Sequence, residues 1–231
     1  MSEIPVRILP AGDSAWSIEL PNRIDTAINA RAIRIARDVE AAGLPVTDVV
    51  VGYRSVMVYI DPLSAAATAV EARLREIASS VSAEENAPGA LVEVPVCYDG
   101  PHGPDLGEVA AFAGSSIEDV IAMHLGREYR VFVVGFVPGF AYMAPVDPRI
   151  AAPRRSSPRL QVPAGSVAVA AGQTGVYPAE TPGGWSLIGR CPVKPYDADR
   201  AEPFLFHPGD TIRFHRISES DYRLTTQWGD A

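Results

Sequence analysis

Two kinds of periodicity, in two halves of the chain, predict an α+β module followed by a mostly β domain. Over the first 81 residues, strand-like alternation and helix-like spacing succeed one another in the order ββαββα. From Pro138 onward, glycine and proline recur every few residues between short apolar runs. That is the punctuation of short strands joined by tight turns, and hence of a β-barrel or sandwich. Between the halves, Ser82–Ala90 is polar, aperiodic and rich in breakers, so the expected domains are residues 1–84 and 85–231.

The first module opens as a hairpin: residues 4–9 and 14–20 alternate, with Pro10-Ala-Gly-Asp13 as the turn. Ile24, Ile28, Ile35 and Val39 then recur at helical spacing, Arg31, Arg34 and Asp38 fall on another face, and Gly43 followed by Pro45 stops the helix. Strands are expected at Val46–Val51 and Ser55–Ile60. A second helix starts near Ser64, carries Val70, Leu74, Ile77 and Val81 on one stripe, and gains a Glu71–Arg75 pair one turn apart.

In the second domain, Leu91–Tyr98 reads as a strand whose Pro95 belongs at an edge or bulge. Asp105 or a near neighbour caps a short helix that ends at Gly114. Ser116-Ile-Glu-Asp119 is a capping-box pattern for a helix over Ile117–Leu125, ended by Gly126. Arg130–Phe136 is a near-continuous β-branched and aromatic run, read as a buried strand. Further short strands are expected at Ser166–Ala171, Gly175–Tyr177, Trp185–Gly189, Phe204–Phe206 and Thr211–His215, with His207-Pro-Gly-Asp210 as a strong turn and little helix.

The whole is 231 residues, 47% apolar and 21% charged, with a net charge of -8. The acidic balance argues against a nucleic-acid surface, which needs clustered basic residues. No apolar run approaches a membrane span, and the N-terminus lacks a basic stretch followed by an apolar core, so the expectation is a cytoplasmic protein. Cys97 and Cys191 show no metal-ligand spacing and read as reduced, partly buried thiols; no metal site is expected. Lys194 is the sole lysine, which excludes a P-loop and leaves one position for any lysine-attached cofactor.

Chemistry concentrates between Val131 and Pro192. From Pro148 to Ala179 there is no Asp, Glu or Lys, yet there are four arginines, Arg149, Arg154, Arg155 and Arg159. In an acidic chain this is a cationic island suited to a small anion, because guanidinium offers planar paired donors to carboxylate or phosphate. The same cluster also reads as an interface for an acidic partner. Gln173, Thr174 and Tyr177 lie in a glycine-rich segment as candidate donors into a pocket, against the plainer reading that Gly172 and Gly175 only build turns. Pro182-Gly-Gly-Trp185 offers backbone N–H groups at Gly183 and Gly184 beside a flat aromatic wall, suited to a ring-shaped or amide substrate. Of the four histidines, His124 stands nearest a helix C-terminus, where the helix dipole favours its charged form, and is the best candidate for an acid or base.

Gly135-Phe-Val-Pro-Gly-Phe140, Pro153-Arg-Arg155, Val162-Pro-Ala-Gly-Ser-Val167, Gly172-Gln-Thr-Gly-Val-Tyr-Pro178 and Pro182-Gly-Gly-Trp-Ser-Leu-Ile-Gly-Arg190, in that order, resemble the signature of the bacterial 5-oxoprolinase B-subunit family, also called the Kip-type kinase inhibitor or allophanate hydrolase subunit 1 family. Gly12-Asp-Ser14, Gly52-Tyr-Arg-Ser55, Val94-Pro-Val-Cys-Tyr98 and Gly103-Pro-Asp-Leu106 extend the resemblance over nearly the whole chain. The resemblance implies a small α+β domain followed by a cyclophilin-like β-barrel. The partners it implies are the A subunit together with a homologue of the C subunit. The reaction it implies is opening of the lactam of 5-oxo-L-proline to L-glutamate with hydrolysis of ATP, its Mg2+ and nucleotide bound in the complex. Biotin is not expected on this chain. On that scheme His124, Arg154, Arg155 and Gln173 are the catalytic candidates, and Arg159, Tyr177, Gly183, Gly184, Trp185, Gly139 and Phe140 the substrate-binding ones. The alternatives from the same family names are a protein that inhibits a sensor histidine kinase, or a carboxyltransferase component of urea metabolism. One departure stands out: after the Pro-Gly-Phe turn the family run of aromatic-Leu-Gly-Gly is replaced by Ala141-Tyr-Met-Ala-Pro145, with Ala144 and the rigid Pro145 at two flexible positions, which implies a difference from the family in loop mobility or in substrate identity.

Overall fold

The computed structural model describes residues 5–23, 25–63, 67–81 and 89–228. Ile4 and Ile24, the expected helix start near Ser64, and residues 82–88 of the expected linker, with the expected boundary at 84/85, lie outside them. Backbone contacts divide the chain into two units, Met1–Pro88 and Gly89–Ala231.

The first unit runs β1 (Arg7–Pro10), β2 (Ala15–Glu19), α1 (Thr26–Ala41), β3 (Val46–Val51), β4 (Ser55–Ile60) and α2 (Ala67–Ser80). Its antiparallel sheet has the order β1-β2-β4-β3. Helix α1 starts because the Asp25 carboxylate accepts from the Ala27 and Ile28 N–H groups. Ile28, Ile35 and Val39 of α1 pack with Val70, Leu74 and Ile77 of α2 on the inward residues of the sheet, Ile18, Val56 and Val58 among them. Arg31 corrects the helical-face reading: it is 5% exposed, and its Nη2 donates to the Ala78 carbonyl at 3.0 Å, so it spans to α2. Glu71 and Arg75 make the expected one-turn pair at 2.9 Å.

The second unit contains β5 (Leu91–Val96), α3 (Leu106–Ala113), α4 (Ile117–Leu125), β6 (Tyr129–Val134), β7 (Ala141–Ala144), β8 (Arg159–Val162), β9 (Ser166–Ala170), β10 (Gln173–Val176), β11 (Thr181–Gly183), β12 (Ser186–Arg190), β13 (Thr211–Arg216) and α5 (Glu219–Thr225). Seven strands form one mixed sheet in the order β12-β9-β10-β7-β6-β13-β5, in which β5 and β13 are parallel. The two ends of that list meet. Cys97, just past β5, bridges Arg190 at the end of β12 through two backbone hydrogen bonds of 2.9 and 2.8 Å, which nearly closes the sheet into a barrel. Pro95 sits on β5, whose only full ladder among the described residues is with β13. No helix among the described residues is long and apolar enough to cross a membrane.

Several expected strands move by a residue or two, and four readings change. The Arg130–Phe136 run stops at Val134, because Gly135 turns away and Phe136 takes a φ of 78°. Ala141–Ala144, expected as a loop, is strand β7 paired with β6, and Phe204–Phe206 forms only a single bridge, Tyr196 to Phe204. Helix α5, not foreseen, starts where the Ser218 hydroxyl accepts from the Asp221 N–H.

Strand β9 decides where a site can form, because it is buried on both faces. By strand alternation, Val167 and Val169 enter the barrel core with Val131, Met143, Ile188 and Phe214. Ala168 and Ala170 face the other way and pack under a second apolar cluster of Phe140, Val162, Tyr177, Trp185 and Leu187. Two small methyl side chains at this point leave room for four rings on the outer wall of the barrel, where the separate β8–β11 ribbon contributes Val162 to the cluster.

Candidate functional site

The outer cluster is organised by the turn that delivers Phe140. Val137-Pro138-Gly139-Phe140 closes with the Phe140 N–H donating to the Val137 carbonyl at 3.1 Å, proline second and glycine third with φ 86°. That is type II turn chemistry. Gly139 is needed twice over, since a Cβ there would also fall 2.6 Å from the Cβ of Tyr196. Phe140 is 2% exposed and meets Tyr142, Tyr177 and Trp185 edge-on at centroid distances of 4.9, 5.2 and 5.5 Å. Phe136 adds an exposed ring at 5.8 Å.

These rings wall a cavity of about 280 Å³. Phe136, Phe140, Tyr142, Tyr177 and Trp185 are its aromatic sides, and Gly183, Gly184, Arg154 and Arg155 complete its rim. The Arg155 N–H donates to the Gly184 carbonyl at 2.8 Å, which holds the arginine segment to the glycine pair. Gly183 is obligatory here: a Cβ would lie 2.4 Å from the Tyr177 hydroxyl oxygen. Burial raises the Tyr177 pKa, opposed by the Trp185 backbone N–H, so this phenol stays a protonated donor.

The cationic island resolves into three committed arginines and one available one. Arg149 pairs with Asp147 at 2.8 Å. Arg159 grips Asp105 with two parallel bonds, Nη1 to Oδ2 at 2.9 Å and Nη2 to Oδ1 at 2.6 Å, and this bonding raises its pKa. Arg155 Nη1 reaches Glu108 at 2.8 Å and Asp105 at 3.4 Å. Arg154 is exposed, with its guanidinium carbon 5.9 Å from the Trp185 ring centroid, and it has no carboxylate partner among the described residues.

Residues 6–206 match the family model described as carboxyltransferase domain, subdomain C and D. The 5-oxoprolinase B subunit of Bacillus subtilis (strain 168) is 40% identical over 226 residues, covering 91% of this chain and 92% of that protein. The chain belongs to the 5-oxoprolinase B-subunit family. The B subunit of Escherichia coli O157:H7 is likewise 40% identical, over 205 residues, 88% of this chain and 92% of its own length. The solved structure of TTHA0988 superposes with a TM-score of 0.79 at 36% identity, over 88% of this chain and 40% of that longer chain.

Four of the motifs that carry the B-subunit resemblance meet at the cavity: the Phe136–Phe140 turn, the Arg154–Arg155 pair, Tyr177 of the Gly172–Pro178 stretch, and Gly183–Trp185. Arg159 belongs to the ion pair behind that wall. Gly139 shapes the turn without lining the cavity. Gln173, also not among the lining residues, begins β10 opposite Ala170, just after a two-residue turn in which Ala171 and Gly172 have φ of 48° and 84°.

His124 lies in the barrel core of this B-subunit fold, fully buried and stacked on Phe214 at 4.7 Å. Thr174 Oγ1 donates to the Ala168 carbonyl at 2.9 Å, so it accepts from His124 Nε2 at 3.0 Å, and Nδ1 accepts the Tyr98 hydroxyl at 2.7 Å. The imidazole is therefore the neutral Nε2–H tautomer, and Thr174 faces the core. Desolvation lowers the His124 pKa to about 3. The helix dipole is worth only about 0.3–1 kcal/mol, and burial overwhelms it.

The residue that sequence reasoning undervalued is Asp105. It occupies the position before α3 but makes no capping bond. Its carboxylate, 2% exposed, instead accepts from Arg159, Arg155 and the Leu187 N–H, the last at 2.7 Å. A local signal existed in Gly103-Pro-Asp-Leu106, but its partners lie about fifty positions or more downstream.

Proposed function

We propose that this chain is the B subunit of an ATP-dependent 5-oxoprolinase, acting with the A and C subunits to open the lactam of 5-oxo-L-proline to L-glutamate. The observation that carries the reading is Arg154 over the aromatic cavity. 5-Oxoproline is a flat five-membered ring with one carboxylate and one amide. Aromatic walls suit the ring, and a single uncommitted guanidinium suits the one negative charge. On this reading Arg154 orients the carboxylate, Phe140, Tyr142 and Trp185 flank the ring, and the Tyr177 hydroxyl donates to the lactam edge. The names of the two curated relatives, each a 5-oxoprolinase B subunit, support the same assignment.

The chain's role is to bind and orient. No carboxylate, histidine or cysteine lines the cavity among the described residues, so the groups that move protons come from partner proteins. The cavity is also too small and too weakly cationic for a nucleoside triphosphate with Mg2+, and we place that site on the partners. The TTHA0988 chain, of which this one covers 40%, is in keeping with a fold that works joined to other parts. We read residues 1–84 and 85–231 as the two domains and the second as the cyclophilin-like barrel of the family.

The test is ATP-dependent glutamate release by the three proteins together. Omission of this chain abolishes turnover. Arg154→Ala leaves complex assembly intact and raises KM for 5-oxoproline about ten- to a hundredfold, the value of a hydrogen bond to a charged group. A stable complex with the A and C subunits that never turns the lactam over would sink the assignment.

A further inference from the structure

A second cavity, of about 320 Å³, shares the Arg154–Arg155 wall with the first. Its character differs. Ser156, Ser157, Ser186 and Glu108 line it opposite Val109, Phe112, Ala152 and Pro153, so about half of its surface is polar, where that of the first is mainly aromatic.

The arginine in the common wall is only half used. Both carboxylate contacts of Arg155 are made by Nη1, to Glu108 Oε2 at 2.8 Å and to Asp105 Oδ1 at 3.4 Å. Its Nε–H is buried and has no acceptor among the described residues. A buried N–H without an acceptor is costly and uncommon in a folded protein. The unused Nε–Nη2 edge is the side of guanidinium that receives two oxygens of one carboxylate or phosphate in parallel. Charge agrees with this: Asp105 is neutralised by Arg159, and Glu108 alone opposes Arg154 and Arg155.

We propose that the Nε–Nη2 edge of Arg155, with the Ser156 and Ser157 hydroxyls, is a second subsite that takes a small oxyanion, phosphoryl or carboxylate, beside the ring-binding cavity. Arg155 Nη1, pinned by Asp105 and Glu108, fixes the guanidinium plane in advance. The subsite does not depend on which ring the first cavity holds. Side by side across one wall, the two cavities would hold a ring and an oxyanion at once.

The arginine Nε–H signals in nitrogen-edited proton NMR of the full chain test this directly, with inorganic phosphate as probe and formate in a parallel arm. The Arg155 signal is assigned by its loss in Arg155→Lys. It shifts saturably with phosphate or formate, and the probe that binds more tightly tells phosphoryl from carboxylate. Ser157→Asp, which leaves the Asp105 pairs untouched, weakens binding about tenfold or more by placing a like charge in the subsite. Added 5-oxoproline leaves the anion affinity within about twofold, as two sites require. An Arg155 signal that responds to neither probe overturns the proposal. So does Ser157→Asp binding like the parent, or displacement of the anion by 5-oxoproline. Failure of 5-oxoproline to bind would instead count against the reading of the first cavity and leave the anion titration valid.

Discussion

Asp105→Asn removes one negative charge and little volume from the point where α3, β8 and β12 are tied together. In the parent the carboxylate accepts from Arg159 twice, at 2.9 and 2.6 Å, from the Leu187 N–H at 2.7 Å and from Arg155 at 3.4 Å. Asparagine keeps one oxygen for Leu187 but turns an amide donor toward guanidinium donors. Breaking a buried ion pair costs about 3–5 kcal/mol. The Arg159 side chain is 27% exposed, so water recovers part of that. The expected loss is about 2–3 kcal/mol, which in a unit of this size lowers the melting temperature by roughly 5–12 °C. Thermal and urea unfolding followed by circular dichroism read it. A double-mutant cycle with Arg159→Gln isolates the pair, with an expected coupling of about 1 kcal/mol or more. A variant within about 0.5 kcal/mol of the parent, or additive effects in the cycle, would refute the claim that this carboxylate holds the arginine wall in place.

The remaining predictions follow from the same geometry. Burial holds His124 neutral, with a pKa of about 3 against an ordinary 6.5, so on acidification the unfolded chain takes up the proton first. Stability fully present above about pH 6.5 is lost toward pH 3, by at most about 1.4 kcal/mol per pH unit. Urea unfolding from neutrality to about pH 4 shows this slope, and His124→Gln flattens it; an unchanged slope would assign acid lability elsewhere. Gly183→Ala drives a methyl group into the Tyr177 hydroxyl and costs about 1–3 kcal/mol, with loss of ligand binding in the aromatic cavity. Gly184→Ala, whose Cβ would meet Pro158 at an ordinary 3.6 Å, is tolerated in the same two measurements. Cys97 and Cys191 are buried thiols whose pKa values are raised by burial, that of Cys191 to about 12. Both therefore stay unlabelled by thiol reagents in the native chain and titrate as two thiols in denaturant.

What the sequence discloses here is whatever local chemistry decides. The Ser116–Asp119 capping box, the Gly114 helix stop and the turn at Pro138-Gly139 are written in neighbouring residues and read correctly. Ser218-Glu-Ser-Asp221 repeats the Ser116 pattern, and the same weight given to it would have located α5. Tertiary context decides the rest. Ala141–Ala144 has weak strand propensity and becomes β7 by pairing with β6. The arginine island is visible as composition, but only the fold shows that Asp105, Glu108 and Asp147 take up three of its members. His124 at a helix end looks titratable until the barrel closes over it.

Closure of that barrel has a consequence for how the chain is made. β5 forms its ladder with β13, about 120 positions later, and the seam to β12 is a single bridge at Cys97 and Arg190. As the second unit leaves the ribosome, its first strand has no permanent neighbour until its last has emerged. Any product that ends before Thr211 carries β5 and β6 as bare edges, open to pairing with other chains. A stop codon or protease cut there is thus a route to aggregation, while one after Arg216 spares every strand of the barrel.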